Sequence, residues 1–199
     1  MKKTKQKIYL IGIKGVGMTM LAQFLRRAGQ EVSGSDIPDV FMTDRVLKAA
    51  KIKIFSPFSS KNIPADLDLI VYSSAYTPAN NSELAFIQAN PGRFKNIRIL
   101  PYAAALGEVF NQYYGVAVCG SHGKTTVSAW LGYVLWRAKK DPNVLVGSRV
   151  PQFKGSSLHG ASKYFVAEVD EYQNKLQYFY DCISRDTASS NIEAIRSSE

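Results

Sequence analysis

The sequence predicts an α/β protein: a Rossmann-like parallel-sheet domain followed by the start of a P-loop α/β domain. Three observations carry that reading. Short apolar runs alternate with helical stretches along most of the chain, the pattern of βαβ units whose helices cover both faces of a parallel sheet. Two of those runs end in glycine-containing loops that open onto helices, one at Gly12 and one at Gly120. These two starts lie about a hundred residues apart, close to the size of one domain.

The first apolar run, Ile8 to Ile13, stops at the loop Lys14 to Gly17, as a buried parallel strand does. Met18, Leu21, Ala22 and Leu25 then fall on one helical face, and Gly29 supplies the stop. A second short strand follows at Glu31 to Asp36. The alternation continues with a helix around Phe41 to Ala50, strands at Ile52 to Phe55 and Leu67 to Ser74, a helix over Ser82 to Ala89 and a strand at Ile97 to Leu100.

A new beginning is expected near Asn111. Tyr114 to Ser121 reads as a strand, Val127, Leu131, Val134 and Leu135 as the buried stripe of a helix ending near Lys139, and Asn143 to Ser148 and Tyr164 to Glu171 as two more strands. A boundary near Gln112 gives domains of residues 1–111 and 112–199. The stretch Ser184 to Glu199 is polar and Ser-rich. The second domain is therefore expected to hold about three strands, fewer than the usual number of about 4 to 6, and to expose an apolar sheet edge.

Composition narrows the function classes. Apolar residues form 46% of the chain and aromatics 12%, a globular share. Lys and Arg number 25 against 16 acidic residues, a formal charge of +9, yet apart from four lysines in the first seven positions they are dispersed. Nucleic-acid binding calls for basic residues gathered on one element, so no nucleic-acid partner is expected. Cys119 and Cys182 show no metal-ligand spacing, which argues against a zinc ribbon or disulfide scaffold and fits a reducing cytoplasm. The apolar run after the basic N-terminus is six residues long, shorter than the roughly 7 to 15 of a secretory segment or the roughly 20 of a membrane span. No membrane partner is expected.

Three motifs carry chemistry. In the first, Gly12, Gly15, Val16, Gly17 and Met18 sit between a strand and a helix, where glycines let backbone N–H groups approach a diphosphate. Asp36 closes the next strand, as the ribose-binding acid of dinucleotide domains does. The spacing is GxxGxG instead of GxGxxG, so a diphosphate-nucleotide site and a purely conformational turn both remain open. Lys14, inside this loop, either contacts phosphate or points to solvent.

The second motif is Gly120, Ser121, His122, Gly123, Lys124, Thr125 and Thr126, a shortened P-loop. It offers amides to phosphates, an ammonium to the β/γ oxygens and a hydroxyl to Mg2+. His122 shapes the loop or touches phosphate. In the third, Glu168, Asp170 and Glu171 end a strand, where carboxylates beside a P-loop hold magnesium; a solvated acidic loop is the plainer alternative. Glu168 follows the apolar residues directly and is expected to be the best buried. His159 reads as surface, and Trp130 and Trp136 as packing residues.

Taken in order, IYLIGIKGVGM, SGSD, IVYSSAYTPANNSEL, AVCGSHGKTT, DPNVLVGS and FVAEVDEYQNKLQYF resemble the Mur ligases over about Lys7 to Phe179, most closely the branch that joins L-alanine to UDP-N-acetylmuramate. The resemblance implies a cytoplasmic enzyme of peptidoglycan precursor synthesis with three domains: a Rossmann-like one for the UDP-sugar, a central ATPase, and a third for the amino acid. It further implies that ATP phosphorylates the lactyl carboxylate and that the amine of L-alanine then displaces phosphate. Carried over by position, Gly120 to Thr126 would bind ATP, with Lys124 and Glu168 as catalytic residues and Thr125 and Glu168 holding Mg2+. Gly12, Gly15, Val16, Gly17, Met18, Asp36, Ser73, Ser74 and Ala75 would bind the UDP-sugar.

The chain also departs from the family. Members continue past an apolar strand into Asn-Ile-Glu and then Asp-His; here Asn191, Ile192 and Glu193 follow SRDTASS, and no histidine comes after them. The family's Gly-His pair is replaced by Ser56 and Pro57. The expectation is an incomplete ligase, inactive alone. Three other readings stay open: a sister ligase attaching a recycled peptide to the same sugar, a UDP-sugar binding module without catalysis, and a dinucleotide oxidoreductase.

Overall fold

The computed structural model describes residues 5–153, 155–169 and 178. The chain divides into two compact units, Met1–Ala105 and Leu106–Glu199.

The first unit is built on five parallel strands: β1 (Lys7–Ile11), β2 (Glu31–Ser35), β3 (Lys53–Phe55), β4 (Leu69–Tyr72) and β5 (Arg98–Pro101), in the order β3-β2-β1-β4-β5. Helices α1 (Val16–Arg27), α2 (Met42–Ala49), α3 (Ser82–Ala89) and the short α4 (Pro91–Phe94) connect them. Ile8, Tyr9, Leu10 and Ile11 are all buried, as they must be in a central strand covered on both faces. α1 buries Met18, Leu21 and Ala22 and ends with Gly29 at φ +87°, a left-handed stop suited to glycine. Asn81 caps α3 by accepting from the amides of Glu83 and Leu84. The strand order reverses between β1 and β4, and at such a switch point loops from the two strand ends form a crevice.

Helix α5 (Tyr102–Phe110) begins in the first unit and ends in the second; its helical character was not anticipated. The division falls six residues before the expected boundary after residue 111. The later turn of α5 belongs with the second unit because Phe110 packs on Phe165, ring centroids 5.5 Å apart.

The second unit contains β6 (Tyr114–Val118), α6 (Lys124–Arg137), β7 (Asn143–Val150), β8 (Gly155–Leu158) and β9 (Tyr164–Glu168), with sheet order β6-β9-β7-β8. β6, β9 and β7 are parallel, while β8 is antiparallel to β7. Among the described residues four strands thus stand where about three were expected, and β6 stands at an edge of the described sheet with Tyr114 and Val116 exposed.

Of the expected stripe on α6, Leu131 and Leu135 pack partly buried against the core of Val144, Val146 and Val166, whereas Val127 and Val134 are exposed and the fully buried positions are Ser128 and Gly132. Small residues let the helix approach closely: a Cβ at Gly132 would sit 2.7 Å from Val144 Cγ1. Trp130, expected to pack, is 71% exposed. Among the described residues, no helix is long and apolar enough to cross a membrane.

Candidate functional site

The loop after β1 is pinned from within. Gly12 and Ile13 both donate their amides to Ser35 O, at 2.9 and 3.1 Å, and the Lys14 amide donates to Asp36 Oδ2 at 2.6 Å. Gly15 donates to Gly12 O at 3.3 Å. The amides left for an anion are those of Val16, Gly17 and Met18 in the first turn of α1, which has no side-chain cap. A helix leaves these first N–H groups without intrahelical partners, and the helix dipole adds partial positive charge. Gly12 adopts φ +83°, and a Cβ there would lie 2.7 Å from Tyr76 Cε2 and 2.9 Å from Ser73 Cβ. At Gly17 it would lie 2.7 Å from the Tyr102 hydroxyl.

Asp36 is 3% exposed. Its second oxygen, Oδ1, accepts from the Ile37 amide at 2.8 Å and from the Tyr76 hydroxyl at 3.3 Å. Its carboxylate therefore holds the glycine loop together, and burial together with the Asp36 charge raises the pKa of the Tyr76 phenol. Lys14 fits neither of its expected roles. It is 6% exposed, its ammonium donates to Ile37 O at 2.9 Å and Asp39 O at 2.8 Å, and Asp44 lies 3.5 Å away. A lysine inside the loop is thus held by inward carbonyls and a carboxylate, and the loop's outward-facing groups are backbone amides.

Across the switch point, Ser73 donates its amide to Ile11 O at 3.0 Å and folds into a turn in which the Ala75 amide donates to Ser73 Oγ at 3.3 Å. Ser74 and Ala75 are exposed beside it. The crevice of the first unit thus brings together Gly12 to Met18 with Ser73 to Ala75, while Asp36 lies beneath.

In the second unit, Gly120 at φ +133° and Gly123 at φ +78° turn the chain from β6 into α6, conformations open to glycine at no steric cost. Lys124 opens the helix, and its ammonium reaches back across the loop to Gly120 O at 2.7 Å. Ser121, His122 and Thr126 are exposed around it. The Thr125 hydroxyl donates to Glu168 Oε1 at 2.9 Å and Oε2 at 3.0 Å, and the Gly147 amide donates to Oε2 at 2.8 Å. Glu168 is half-buried at the end of β9, whereas Asp170 and Glu171 lie outside the described residues, as do Asn191, Ile192 and Glu193. Among the described residues no cluster of three or more His, Cys, Asp or Glu could hold a metal. A hydroxyl and one carboxylate beside a phosphate loop do fit Mg2+, a hard ion that completes its shell with phosphate oxygens and water.

A pocket of about 340 Å³ adjoins this loop, lined by Thr125, Thr126, Trp130 and Tyr133 of α6 and by Ser148 and Arg149 of β7. None of its walls beyond Thr125 and Thr126 was anticipated. The signal in the sequence was present but faint: an arginine beside a serine at the end of an apolar strand, two residues after Gly147. His159, expected at the surface, is half-buried with Nε2 at 3.0 Å from Ser157 Oγ.

Residues 7–114 match the profile of the Mur ligase family, catalytic domain. UDP-N-acetylmuramate--L-alanine ligase of Borreliella afzelii (strain PKo) is 42% identical over 176 residues, 86% of this chain and 36% of that protein. The enzyme of the same name from Treponema pallidum (strain Nichols) is 38% identical over 87% of this chain and 35% of its own length. The chain thus spans about a third of the length of these curated relatives. Among solved structures, UDP-N-acetylmuramate-alanine ligase from Thermotoga maritima superposes with a TM-score of 0.73 at 28% identity, covering 83% of this chain and 37% of that one. UDP-N-acetylmuramate:L-alanyl-gamma-D-glutamyl-meso-diaminopimelate ligase from Neisseria meningitides gives 0.75 at 27% identity, covering 85% and 54%. With the family profile spanning more than half of its residues, the chain belongs to the Mur ligase family.

Proposed function

We propose that this chain carries the UDP-sugar and ATP sites of a ligase that joins L-alanine to UDP-N-acetylmuramate in peptidoglycan precursor synthesis, in the cytoplasm. The reading is supported above all by the Thr125–Glu168 pair at the mouth of the Gly120 to Lys124 loop, in a chain 42% identical to an enzyme of that name.

When bound, ATP with Mg2+ would supply the phosphoryl group that turns the lactyl carboxylate into an acyl phosphate with release of ADP, and the amine of L-alanine would displace phosphate and give up a proton to form the amide. The chain's own residues bind and orient. Gly120 to Thr126 present amides to the phosphates, Lys124 exchanges the Gly120 carbonyl for phosphate oxygens, and Thr125 and Glu168 supply hard oxygens for the metal. Val16, Gly17 and Met18 hold the diphosphate of the sugar nucleotide, with Ser73 to Ala75 facing them. Fixed donors aimed at transferring phosphate are the principal source of rate in such chemistry. The pocket beside Thr125 and Arg149 suits the acid substrate, since a guanidinium pairs with carboxylate in a bidentate fork. Likeness to the Neisseria enzyme favours a second reading, in which a peptide replaces L-alanine.

Titration calorimetry of the full chain with UDP-N-acetylmuramate, Mg-ATP and NADH tests the assignment. Heat with the first two and none with NADH is expected. Binding of NADH without response to the sugar nucleotide overturns it.

A further inference from the structure

We infer that Glu83, on α3 and far in sequence from the glycine loop, is the positioning residue that sets the shape of that loop by acting through Ser35. Glu83 is fully buried. Its Oε2 accepts from the Ser35 hydroxyl at 2.5 Å, and its Oε1 from the Tyr9 hydroxyl at 3.1 Å, the Ser59 amide at 3.1 Å and the Asn62 side-chain amide at 3.4 Å. All of these partners are neutral. A carboxyl group taken out of water with no cation beside it among the described residues is costly, so its retention points to a geometric task that a cheaper side chain would not perform.

That task is visible one bond further on. Ser35 is the last residue of β2, is itself fully buried, and its carbonyl accepts both the Gly12 and Ile13 amides. Fixing its side chain fixes the plane of that carbonyl and hence where the loop leaves β1. The next residue, Asp36, takes the Lys14 amide. Three consecutive loop amides are therefore oriented by two neighbouring residues, one of which is held by Glu83. With those amides turned inward, Val16, Gly17 and Met18 are the ones presented outward. Glu83 touches no ligand-facing group, and its effect on binding passes through Ser35.

The inference rests on the proposed sugar-nucleotide site only for the identity of the ligand, so its test has a ligand-free arm. Amide hydrogen exchange by NMR on the full chain is compared for wild type, Glu83→Gln, Ser35→Ala and Asn62→Ala. The last removes a donor from Glu83 Oε1, the oxygen that does not hold Ser35. Glu83→Gln and Ser35→Ala are expected to speed exchange at Gly12 and Ile13 about tenfold or more relative to Ile8 to Leu10, and to weaken UDP-N-acetylmuramate by about tenfold in calorimetry. Asn62→Ala is expected to lower the unfolding temperature without either change. Exchange that rises uniformly along β1, or the same local pattern in Asn62→Ala as in Ser35→Ala, overturns the inference. If Glu83→Gln does not fold, Ser35→Ala carries the comparison alone. Wild type that shows no heat with the sugar nucleotide while the local exchange pattern holds would sink the ligand assignment and leave the positioning role standing.

Discussion

The Thr125 hydroxyl donates to both carboxylate oxygens of Glu168, joining the first turn of α6 to the end of β9. The same carboxylate takes the Gly147 amide, so one acid ties together three segments around the phosphate loop. Thr125→Val keeps the shape and removes the donor. It should cost about 1 kcal/mol in urea unfolding, the ordinary net worth of such a bond, and should abolish the Mg2+ dependence of ATP binding in calorimetry. Undiminished Mg2+ dependence would remove Thr125 from the metal site.

Gly12 and Gly15 look alike in the sequence and differ in space. At Gly12 the backbone is left-handed and a side chain would enter the Tyr76 ring, whereas at Gly15 the nearest atom to an added Cβ is Gly12 O at 3.6 Å. Gly12→Ala should destabilise the first unit by about 2 kcal/mol or more, and Gly15→Ala should stay within about 0.5 kcal/mol of wild type. Thermal unfolding of the two variants separates them; equal losses would mean that the loop geometry is not as described.

How much of this was legible in the sequence depends on range. The strand, glycine loop and helix starts at Gly12 and Gly120 were readable because their signals lie within about fifteen residues, in periodicity and glycine placement. Helix Ser82–Ala89 was placed to the residue, since Asn81 and Glu83 form a local cap signal. Strand Gly155–Leu158 was missed because GSSL has neither alternation nor β-branched residues and owes its form to pairing with β7. The inward turn of Lys14 and the burial of Glu83 depend on partners 21 to 74 positions away, which no local pattern encodes. The α6 stripe held at Leu131 and Leu135 and failed at Val127 and Val134 for a related reason: periodicity marks the apolar face, but close helix–sheet approach placed Ser128 and Gly132 deepest.

Lys124→Ala tests the separation of the two sites. The ammonium returns across its own loop to Gly120 O and belongs to the second unit, while Val16 to Met18 belong to the first. The substitution should abolish ATP binding, a loss of at least about tenfold in affinity, and leave UDP-N-acetylmuramate affinity unchanged. Calorimetric titrations with each ligand measure both. Equal loss of the two would contradict the assignment of one ligand to each unit.

The pH dependence of stability follows from Glu83. Burial pushes its carboxyl group above the usual glutamate range, and the hydrogen bonds from Ser35, Ser59, Tyr9 and Asn62, which pull the other way, do not cancel that effect. Tyr9, the titratable group facing it, is raised by burial and stays neutral. In the folded protein Glu83 therefore keeps its proton to a higher pH than in the unfolded chain. As pH rises from the ordinary glutamate value toward the folded one, the native state binds more protons than the unfolded state, so stability falls across that window and then levels off. Asp66 behaves oppositely: the Lys7 ammonium holds its pKa down, so its small, exposed contribution is lost only as pH drops below the ordinary aspartate range. The two windows lie on opposite sides of about pH 4. Urea unfolding of wild type and Glu83→Gln between about pH 3 and pH 8 should show the falling limb in wild type only, with the acid-side loss common to both. A limb of the same slope in both proteins would assign it to another group.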